Sequence, residues 1–111
     1  MYVAIFFQDL PGTASKRQAV VSEHRKYMEV NAAKVLAAGA TFTDDGKSVK
    51  GGSYVVKVAD MAEARKFVDD DPFTKAGLRA VVFIQPWIRA VFDGKFNIPT
   101  DDSPLYADSV A

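Results

Sequence analysis

The chain has 111 residues, enough to bury one hydrophobic core and too few for two. Its 14 basic and 14 acidic side chains give a formal net charge of zero, so no overall field favours nucleic acid or an anionic membrane. The absence of cysteine excludes disulfides, thiolate nucleophiles, zinc ribbons and iron–sulfur clusters. A single histidine, His24, excludes a histidine-rich metal site but is a candidate for acid–base chemistry near neutral pH.

The first segment is an apolar run over residues 2–7 that predicts a strand, because it is short and rich in aromatic and β-branched residues. Both of its alternating faces are apolar, so this strand needs cover on both sides. No basic stretch precedes the run, and no segment approaches the roughly 20 apolar residues that span a bilayer. We therefore expect a soluble, cytoplasmic protein with no signal peptide and no membrane span.

The next segment is predicted to be helical. A short turn over residues 13–19 is followed by a helix that starts near Ser22, a good N-cap residue, and ends at Ala38 before Gly39. Helical spacing places one stripe of this helix on its inner face: His24, Tyr27, Met28, Asn31, Val35 and Ala38. His24 is thus expected near the start of the helix, on its apolar side.

The central and later segments predict two more strands, a helix and a final strand. Residues 40–43 are a possible short strand, residues 44–46 and 51–52 are breaks, and residues 53–58 alternate as a strand should. Asp60 is predicted to cap a helix over residues 61–70, which the Asp71-Pro72 pair ends. Residues 78–87 predict the last strong strand, again apolar on both faces, with Pro86 at its end or on a sheet edge.

Beyond Ile88 the sequence is rich in turn signals. We expect an extended tail held by apolar anchors, namely Phe92, Phe96, Ile98 and the Leu105-Tyr106 pair. The whole order, β-α-β-β-α-β, predicts an α+β, ferredoxin-like fold with two helices on one face of an antiparallel sheet. A second copy packed sheet to sheet would cover the other apolar face, which predicts a homodimer; alternatively, the tail folds back over that face.

Several short sequence words, taken in order, resemble the YciI-like family of the dimeric α/β barrel group. They are Gln8-Asp9, Lys16-Arg17 ahead of His24, a glycine–aromatic strand at residues 52–58, Asp70-Asp71-Pro72-Phe73 with Ala76-Gly77, and Gln85-Pro86-Trp87 with Val91-Phe92 beyond. The resemblance spans residues 1–92, which we take as the domain. Residues 93–111 form a C-terminal extension, expected to pack on the domain or on the dimer partner. The resemblance implies a ferredoxin-like homodimer with a site built around a histidine and an aspartate.

One branch of similar proteins removes HCl from chlorinated hydroxyquinols during bacterial breakdown of chlorinated aromatics. The resemblance therefore implies a cofactor-independent lyase that acts on a small phenolic or acidic ring compound. The chain departs from the family pattern in its tail and in Gly39-Ala40-Thr41, where a Gly-Pro pair is frequent. Three alternatives stay open: a non-catalytic small-ligand-binding dimer or accessory domain, a cofactor-free monooxygenase, and an enzyme similar to muconolactone isomerases.

Three candidate catalytic residues, Asp9, His24 and Asp71, are expected on one rim, because strand one, helix one and helix two meet there. A carboxylate would fix the tautomer of His24 and stabilise its protonated form, and either aspartate could supply it. A helix N-terminus would favour the neutral imidazole, whereas a nearby aspartate would favour the charged one. Alternatively, His24 bonds a backbone carbonyl, and the two aspartates only form a turn and a helix stop.

Four residues near this rim are predicted to bind substrate: Arg17, Arg25, Tyr27 and Phe73. The guanidinium groups, with free N–H groups at the helix start, could hold a phenolate or carboxylate, and the aromatic rings could line a pocket. Alternatively, they are surface charges and core aromatics. The aspartates at residues 69–71 lack calcium-loop spacing, and no glycine-rich phosphate loop is present, so we predict no metal and no cofactor. Basic and aromatic residues do not interleave, which argues against a nucleic-acid partner.

Overall fold

The computed structural model describes residues 1–96. Its elements are β1 (Tyr2–Asp9), α1 (Ala14–Val30), a 3-10 turn (Ala32–Lys34), β2 (Val35–Phe42), β3 (Val49–Lys57), α2 (Met61–Asp69), α3 (Pro72–Lys75), β4 (Arg79–Trp87), β5 (Val91–Phe92) and β6 (Lys95–Phe96). Strands β1 to β4 form one antiparallel sheet in the order β2-β3-β1-β4, and β5 and β6 form a small hairpin. The predicted α+β, ferredoxin-like order is confirmed, with the short α3 as an addition.

One face of the sheet packs against the helices and forms the core. Val3, Ile5 and Phe7 alternate along β1 and are at most 1% exposed. The antiparallel register pairs Ile5 with Tyr54 and Val3 with Val56, so the side chains of these β3 residues point to the same face. Helix α2 completes this core with Ala64, Phe67 and Val68.

The opposite face of the sheet carries aromatic pairs that no described element covers. Phe6 stacks on Phe83 with ring centroids 5.9 Å apart, and Tyr2 meets Trp87 edge-on at 6.0 Å. The register of β1 with β4 places both pairs on this face, where Phe83 is still 37% exposed. The second apolar face that the sequence predicts is therefore present, and it lies away from α1 and α2. We call it the open sheet face.

Helix α1 differs from the prediction at both ends. It begins at Ala14 rather than at Ser22, and it ends at Val30 rather than at Ala38. Residues 35–38 belong to β2 instead, because pairing with β3 overrides the helix propensity of an alanine-rich segment. The predicted stripe is correct only as far as Asn31. His24 consequently lies in the middle of α1, where the N-terminal charge of the helix dipole does not reach it.

Two further boundaries also differ from the prediction. Strand β3 begins at Val49, so Gly51 and Gly52 lie inside it and do not break the chain. A Cβ atom at Gly51 would collide with the backbone carbonyl of Phe7, which explains why glycine occupies this position. The Asp71-Pro72 pair ends α2 as predicted and also starts α3. Strand β4 is confirmed within one residue, and it is an edge strand, which tolerates a proline.

The β5–β6 hairpin projects apolar side chains into solvent. Its turn has positive φ at both Asp93 and Gly94, as a tight hairpin turn requires. Phe92 is 39% and Phe96 73% exposed, so these two predicted anchors do not pack on the described domain. The other predicted anchors, Ile98, Leu105 and Tyr106, lie outside the described residues, as does the extension from residue 97 onward. Within residues 1–96, no helix combines the length and the apolar character that crossing a membrane takes.

Candidate active site

The centre of the site is a pair formed by His24 and Asp71. His24 projects from the middle of α1, and Asp71 stands where α2 gives way to α3. The imidazole Nδ1 of His24 lies 2.8 Å from Oδ1 of Asp71. The Asp71 carboxylate also accepts the backbone N–H of Phe73 at 2.9 Å and thereby caps α3, while Pro72 fills the first helical position. The fold thus brings together two of the three predicted catalytic residues.

The carboxylate of Asp71 is fully buried and has four polar partners. It forms hydrogen bonds with His24 Nδ1, the backbone N–H of Phe73 and the hydroxyl of Tyr54, the last at 3.0 Å, and its Oδ2 forms an ion pair with Nη2 of Arg79 at 3.0 Å. Burial alone would raise the pKa of Asp71, but the hydrogen bond from His24 and the positive charge of Arg79 outweigh it and hold the pKa below its ordinary value. An ionised carboxylate only accepts hydrogen bonds, so Nδ1 of His24 carries the proton in this pair.

Asp71 occupies Nδ1 of His24, so the other imidazole nitrogen, Nε2, is the one that can contact a ligand. In the neutral tautomer with a proton on Nδ1, Nε2 is a hydrogen-bond acceptor and a base. No residue in the described part of the chain forms a hydrogen bond with Nε2. His24 can therefore take a proton from a ligand at Nε2 while Asp71 stabilises the imidazolium through Nδ1.

Two residues of this network, Tyr54 and Arg79, were not predicted as site residues. The Arg79 guanidinium lies 3.6 Å from the Phe7 ring centroid, and its Nη1 donates to the Tyr54 hydroxyl at 3.0 Å. Burial raises the pKa of Tyr54, which keeps the hydroxyl protonated and able to donate to Asp71. One signal did exist in the sequence: Arg79 opens an otherwise apolar strand, and a buried arginine requires an anionic partner.

The face of the His24 imidazole packs against Phe73. The two rings are nearly parallel, at 13°, with centroids 3.9 Å apart. Phe73 is 2% exposed, and the guanidinium carbon of Arg17 lies 4.4 Å from its ring centroid. The Asp71-Pro72-Phe73 segment therefore holds the imidazole both at its edge, through the carboxylate, and on its face, through the ring.

Asp9, the other predicted partner of His24, pairs with a different residue. It accepts two hydrogen bonds from Arg17, with Nε–Oδ2 at 2.8 Å and Nη2–Oδ1 at 3.0 Å. Both side chains are mostly buried. Such a two-point contact fixes the plane of the guanidinium. Of the two aspartates that the sequence left open, the structure brings Asp71 to His24 and uses Asp9 to orient Arg17.

A cavity of about 270 Å³ opens between α1 and strands β2 and β3, with His24 in its wall. Its lining includes three arginines, Arg17, Arg25 and Arg79, together with the His24 imidazole; its aromatic and apolar lining consists of Met28, Tyr54 and Phe73. The wall formed by the two strands carries only small residues: Ala38, Gly39, Ala40, Gly51 and Gly52. No carboxylate of residues 1–96 is among the lining residues. The cavity therefore favours a small anionic ligand with a flat face.

Of the four predicted substrate-binding residues, Tyr27 alone lies away from this cavity. Its hydroxyl donates to the backbone carbonyl of Phe67 at 2.7 Å and faces a separate cavity of about 130 Å³. Burial, together with the negative charges of Asp71 and Asp70, raises the pKa of Tyr27 to about 12. Tyr27 thus ties α1 to the end of α2 through a neutral hydroxyl.

The remaining aspartates of the 69–71 run are peripheral. Asp70 is exposed and pairs with Lys66 across one helical turn, at 2.9 Å. Across residues 1–96, no three histidine, aspartate or glutamate side chains come close enough together to hold a metal ion. The basic side chains that meet at the cavity are Arg17, Arg25, Arg79 and His24.

Three comparisons with known proteins show what the chain is similar to. The YCII-related domain profile matches residues 1–88, a range that spans the whole four-stranded sheet and its helices. A protein of Haemophilus influenzae without an assigned function is 29% identical over 94 residues, which cover 78% of this chain and 96% of that protein. The structure of 5-chloro-2-hydroxyhydroquinone dehydrochlorinase from Burkholderia phenoliruptrix, in complex with 2,5-dihydroxybenzoquinone, matches with a TM-score of 0.72 and 32% identity. This match covers 78% of the present chain and 93% of the dehydrochlorinase.

Proposed function

The chain belongs to the YCII-related domain family, and from that premise we propose that it is a small, cofactor-independent lyase that eliminates HCl from a chlorinated hydroxyquinol. The observation that carries the proposal is the His24–Asp71 pair in the wall of a cavity that three arginines line. The similarity to a dehydrochlorinase with a bound dihydroxybenzoquinone supports the same class of substrate.

The cavity suits a single substituted ring. Its volume of about 270 Å³ lies at the small end of ligand pockets. The strand wall of Ala40 and Gly52 offers a flat surface to one face of such a ring. The guanidinium groups of Arg17 and Arg25 would stabilise a phenolate oxygen through charge-assisted hydrogen bonds. A hydroxyl of the ring would then lie against Nε2 of His24.

In the proposed reaction, one ring hydroxyl gives its proton to Nε2 of His24 and becomes a carbonyl, while ring electrons move toward the chlorine-bearing carbon. The imidazolium, stabilised by Asp71, returns that proton to this carbon. A second hydroxyl then loses its proton to solvent and becomes the second carbonyl, and chloride leaves with the electron pair of the C–Cl bond. The ring loses one proton and one chloride and becomes a quinone with no oxidant. Acid–base catalysis of this kind contributes roughly 10²–10⁴-fold in rate.

Chloride release under anaerobic conditions tests this proposal. The purified protein is incubated with a chlorinated hydroxyquinol, and chloride and quinone are measured after the spontaneous reaction has been subtracted. We expect the wild type to release chloride and quinone in equal amounts. Asp70→Asn, which changes an exposed carboxylate outside the cavity, should do the same at the wild-type rate. His24→Ala should lose at least about 100-fold in rate. Release that needs oxygen would indicate a monooxygenase, and no release at all would contradict the lyase.

We also propose that two copies of the chain pack through their open sheet faces. The Phe6–Phe83 and Tyr2–Trp87 pairs form an apolar surface that none of the described elements covers. A two-fold axis would place the open sheet face against the same face of the second copy, which is the simplest closed arrangement for a self-complementary patch. The dimer would bury these aromatic rings and leave the cavity, which lies on the helix side of the sheet, accessible.

A further inference from the structure

We propose that Arg79 is a positioning residue that keeps His24 neutral, and so able to accept a proton, by neutralising Asp71 from the side opposite the imidazole. This inference rests on the proposed use of His24 as the base. It concerns a residue that touches neither the His24 ring nor, in the proposed reaction, the reacting atoms. Arg79 would act on the imidazole only through the carboxylate that both residues share.

The two oxygens of Asp71 face two different partners, His24 and Arg79. Oδ1 receives Nδ1 of His24 at 2.8 Å, and Oδ2 receives Nη2 of Arg79 at 3.0 Å. The side chain of Arg79 is 2% exposed and that of Asp71 is fully buried, so solvent screens this ion pair very little. An arginine stays protonated throughout the accessible pH range. Asp71 is therefore neutralised at one oxygen whatever the state of His24.

The guanidinium of Arg79 is held in this position by three further contacts. Nη1 donates to the Tyr54 hydroxyl at 3.0 Å, Nη2 donates to Thr74 Oγ1 at 3.1 Å, and the group lies over the Phe7 ring. Nε has no hydrogen-bond partner among residues 1–96, which is a cost for a buried donor. Because an apolar side chain is often at least as favourable as a buried ion pair, stability alone does not explain an arginine here.

The consequence for His24 follows from charge balance. If Arg79 carried no charge, the buried carboxylate of Asp71 would be balanced best by a protonated imidazole, and Nε2 could then not accept a proton. The other groups that face the imidazole do not replace this function. Tyr54 from β3 is a neutral hydroxyl, Arg17 from α1 is already paired with Asp9, and Arg25 from α1 is exposed to solvent. No carboxylate of residues 1–96 lines the cavity, so Asp71, behind the imidazole, is the anion that His24 contacts.

Because His24 is the sole histidine, its imidazole proton signals titrate alone in an NMR experiment. We expect Arg79→Met to move the midpoint of proton uptake to higher pH by about one to two units, because a cation near the shared carboxylate is lost. Arg79→Lys, which keeps the charge, should restore most of the wild-type midpoint. Arg89→Met removes the same charge beyond the far end of β4, about 30 Å away, and should leave the midpoint unchanged.

An unchanged or lowered midpoint in Arg79→Met would overturn the proposal, as would a Lys variant that behaves like the Met variant. A second measurement covers the case in which Arg79→Met does not fold. In Arg79→Gln, which keeps a hydrogen-bond donor at this position but carries no charge, the midpoint should rise as in Arg79→Met, and an unchanged midpoint would overturn the proposal. Neither measurement uses a substrate. A failure of chloride release therefore rejects the lyase and leaves the result for Arg79 standing.

Discussion

His24 and Asp71 stand 47 positions apart in the sequence, yet Nδ1 of one lies 2.8 Å from Oδ1 of the other. The contact exists because α1 and the α2–α3 junction pack on the same face of the sheet, so residues from distant segments meet above Tyr54 of β3. It also assigns different partners to the two candidate aspartates, because Arg17 occupies both oxygens of Asp9. Substitutions at these two carboxylates should therefore have different kinetic effects.

Asp71→Asn should lower kcat for chloride release by about 100-fold or more, because an amide does not stabilise the imidazolium of His24 as a carboxylate does. Asp9→Asn should change kcat by less than about 5-fold and raise KM, because it only frees Arg17 from its fixed orientation. Steady-state chloride release distinguishes the two variants. An equal loss of kcat in both would show that Asp9 also takes part in the proton transfer.

The ionisation of Asp71 predicts how the stability of the protein depends on pH. The folded-state pKa of Asp71 lies below its ordinary value, so its contribution is complete above the ordinary carboxyl range and is lost as the pH falls through the lowered folded value. Urea unfolding of the wild type should therefore show a steep loss of stability below about pH 4. Asp71→Asn should be less stable by about 3–5 kcal/mol at neutral pH, because Arg79 is left unpaired, and its stability should depend less on pH in the acid range.

Asp70→Asn is the control for this measurement, because the exposed Asp70–Lys66 pair contributes little. Its unfolding free energy should follow that of the wild type at every pH. If Asp71→Asn kept the full acid dependence of the wild type, another buried carboxylate would have to account for it.

The apolar pattern of the sequence predicted β1, β4 and α2 because their side chains alternate or repeat with the period of the element. It placed the end of α1 too late because Leu36, Ala37 and Ala38 are good helix formers, and only the hydrogen bonds to β3 make this segment a strand. Those bonds join residues distant in the chain, so no local pattern reveals them. The glycine at position 51 of β3 likewise depends on a distant segment, because the backbone of Phe7 passes too close for a Cβ atom.

The sequence predicted those site residues that the topology of the fold brings to one rim of the sheet. His24, Asp71, Arg17 and Phe73 meet there, whereas the hydroxyl of Tyr27 points to the end of α2. Tyr27 lies three positions after His24, and a helix face is too broad for spacing alone to decide which of two cavities a side chain enters. Tyr54 was predicted as an ordinary strand residue because its hydroxyl gains a function only from Asp71 and Arg79.

The stack of Phe73 on His24 predicts a kinetic effect without loss of the helix cap. Phe73→Leu keeps the backbone N–H that Asp71 accepts but removes the flat face against the imidazole. We expect kcat to fall by about 10-fold, because the ring of His24 becomes less well oriented, and stability to fall by about 1–2 kcal/mol. Phe92→Leu changes an exposed ring in the β5–β6 hairpin and should alter neither value. Wild-type kcat in Phe73→Leu would mean that Asp71 alone orients the imidazole.

The strand wall of the cavity predicts which residue limits the size of the ligand. Ala40 lines the cavity from β2, so Ala40→Leu should fill part of its volume of about 270 Å³. We expect KM for the chlorinated hydroxyquinol of the proposed reaction to rise by at least about 10-fold, because an overfilled site must distort to accept the ring. Ala40→Ser keeps the side chain small and should keep the wild-type KM. An unchanged KM in Ala40→Leu would place the ligand elsewhere.

The open sheet face predicts the oligomeric state. The wild type should elute with twice the mass of the 12.1 kDa chain in size-exclusion chromatography with light scattering. Phe83→Arg places a charge at the centre of this face and should give a monomer, because a buried unpaired charge costs several kcal/mol. Val30→Arg changes an apolar residue that is 77% exposed at the end of α1, and it should stay dimeric. A monomeric wild type would instead favour the C-terminal extension as the cover of this face.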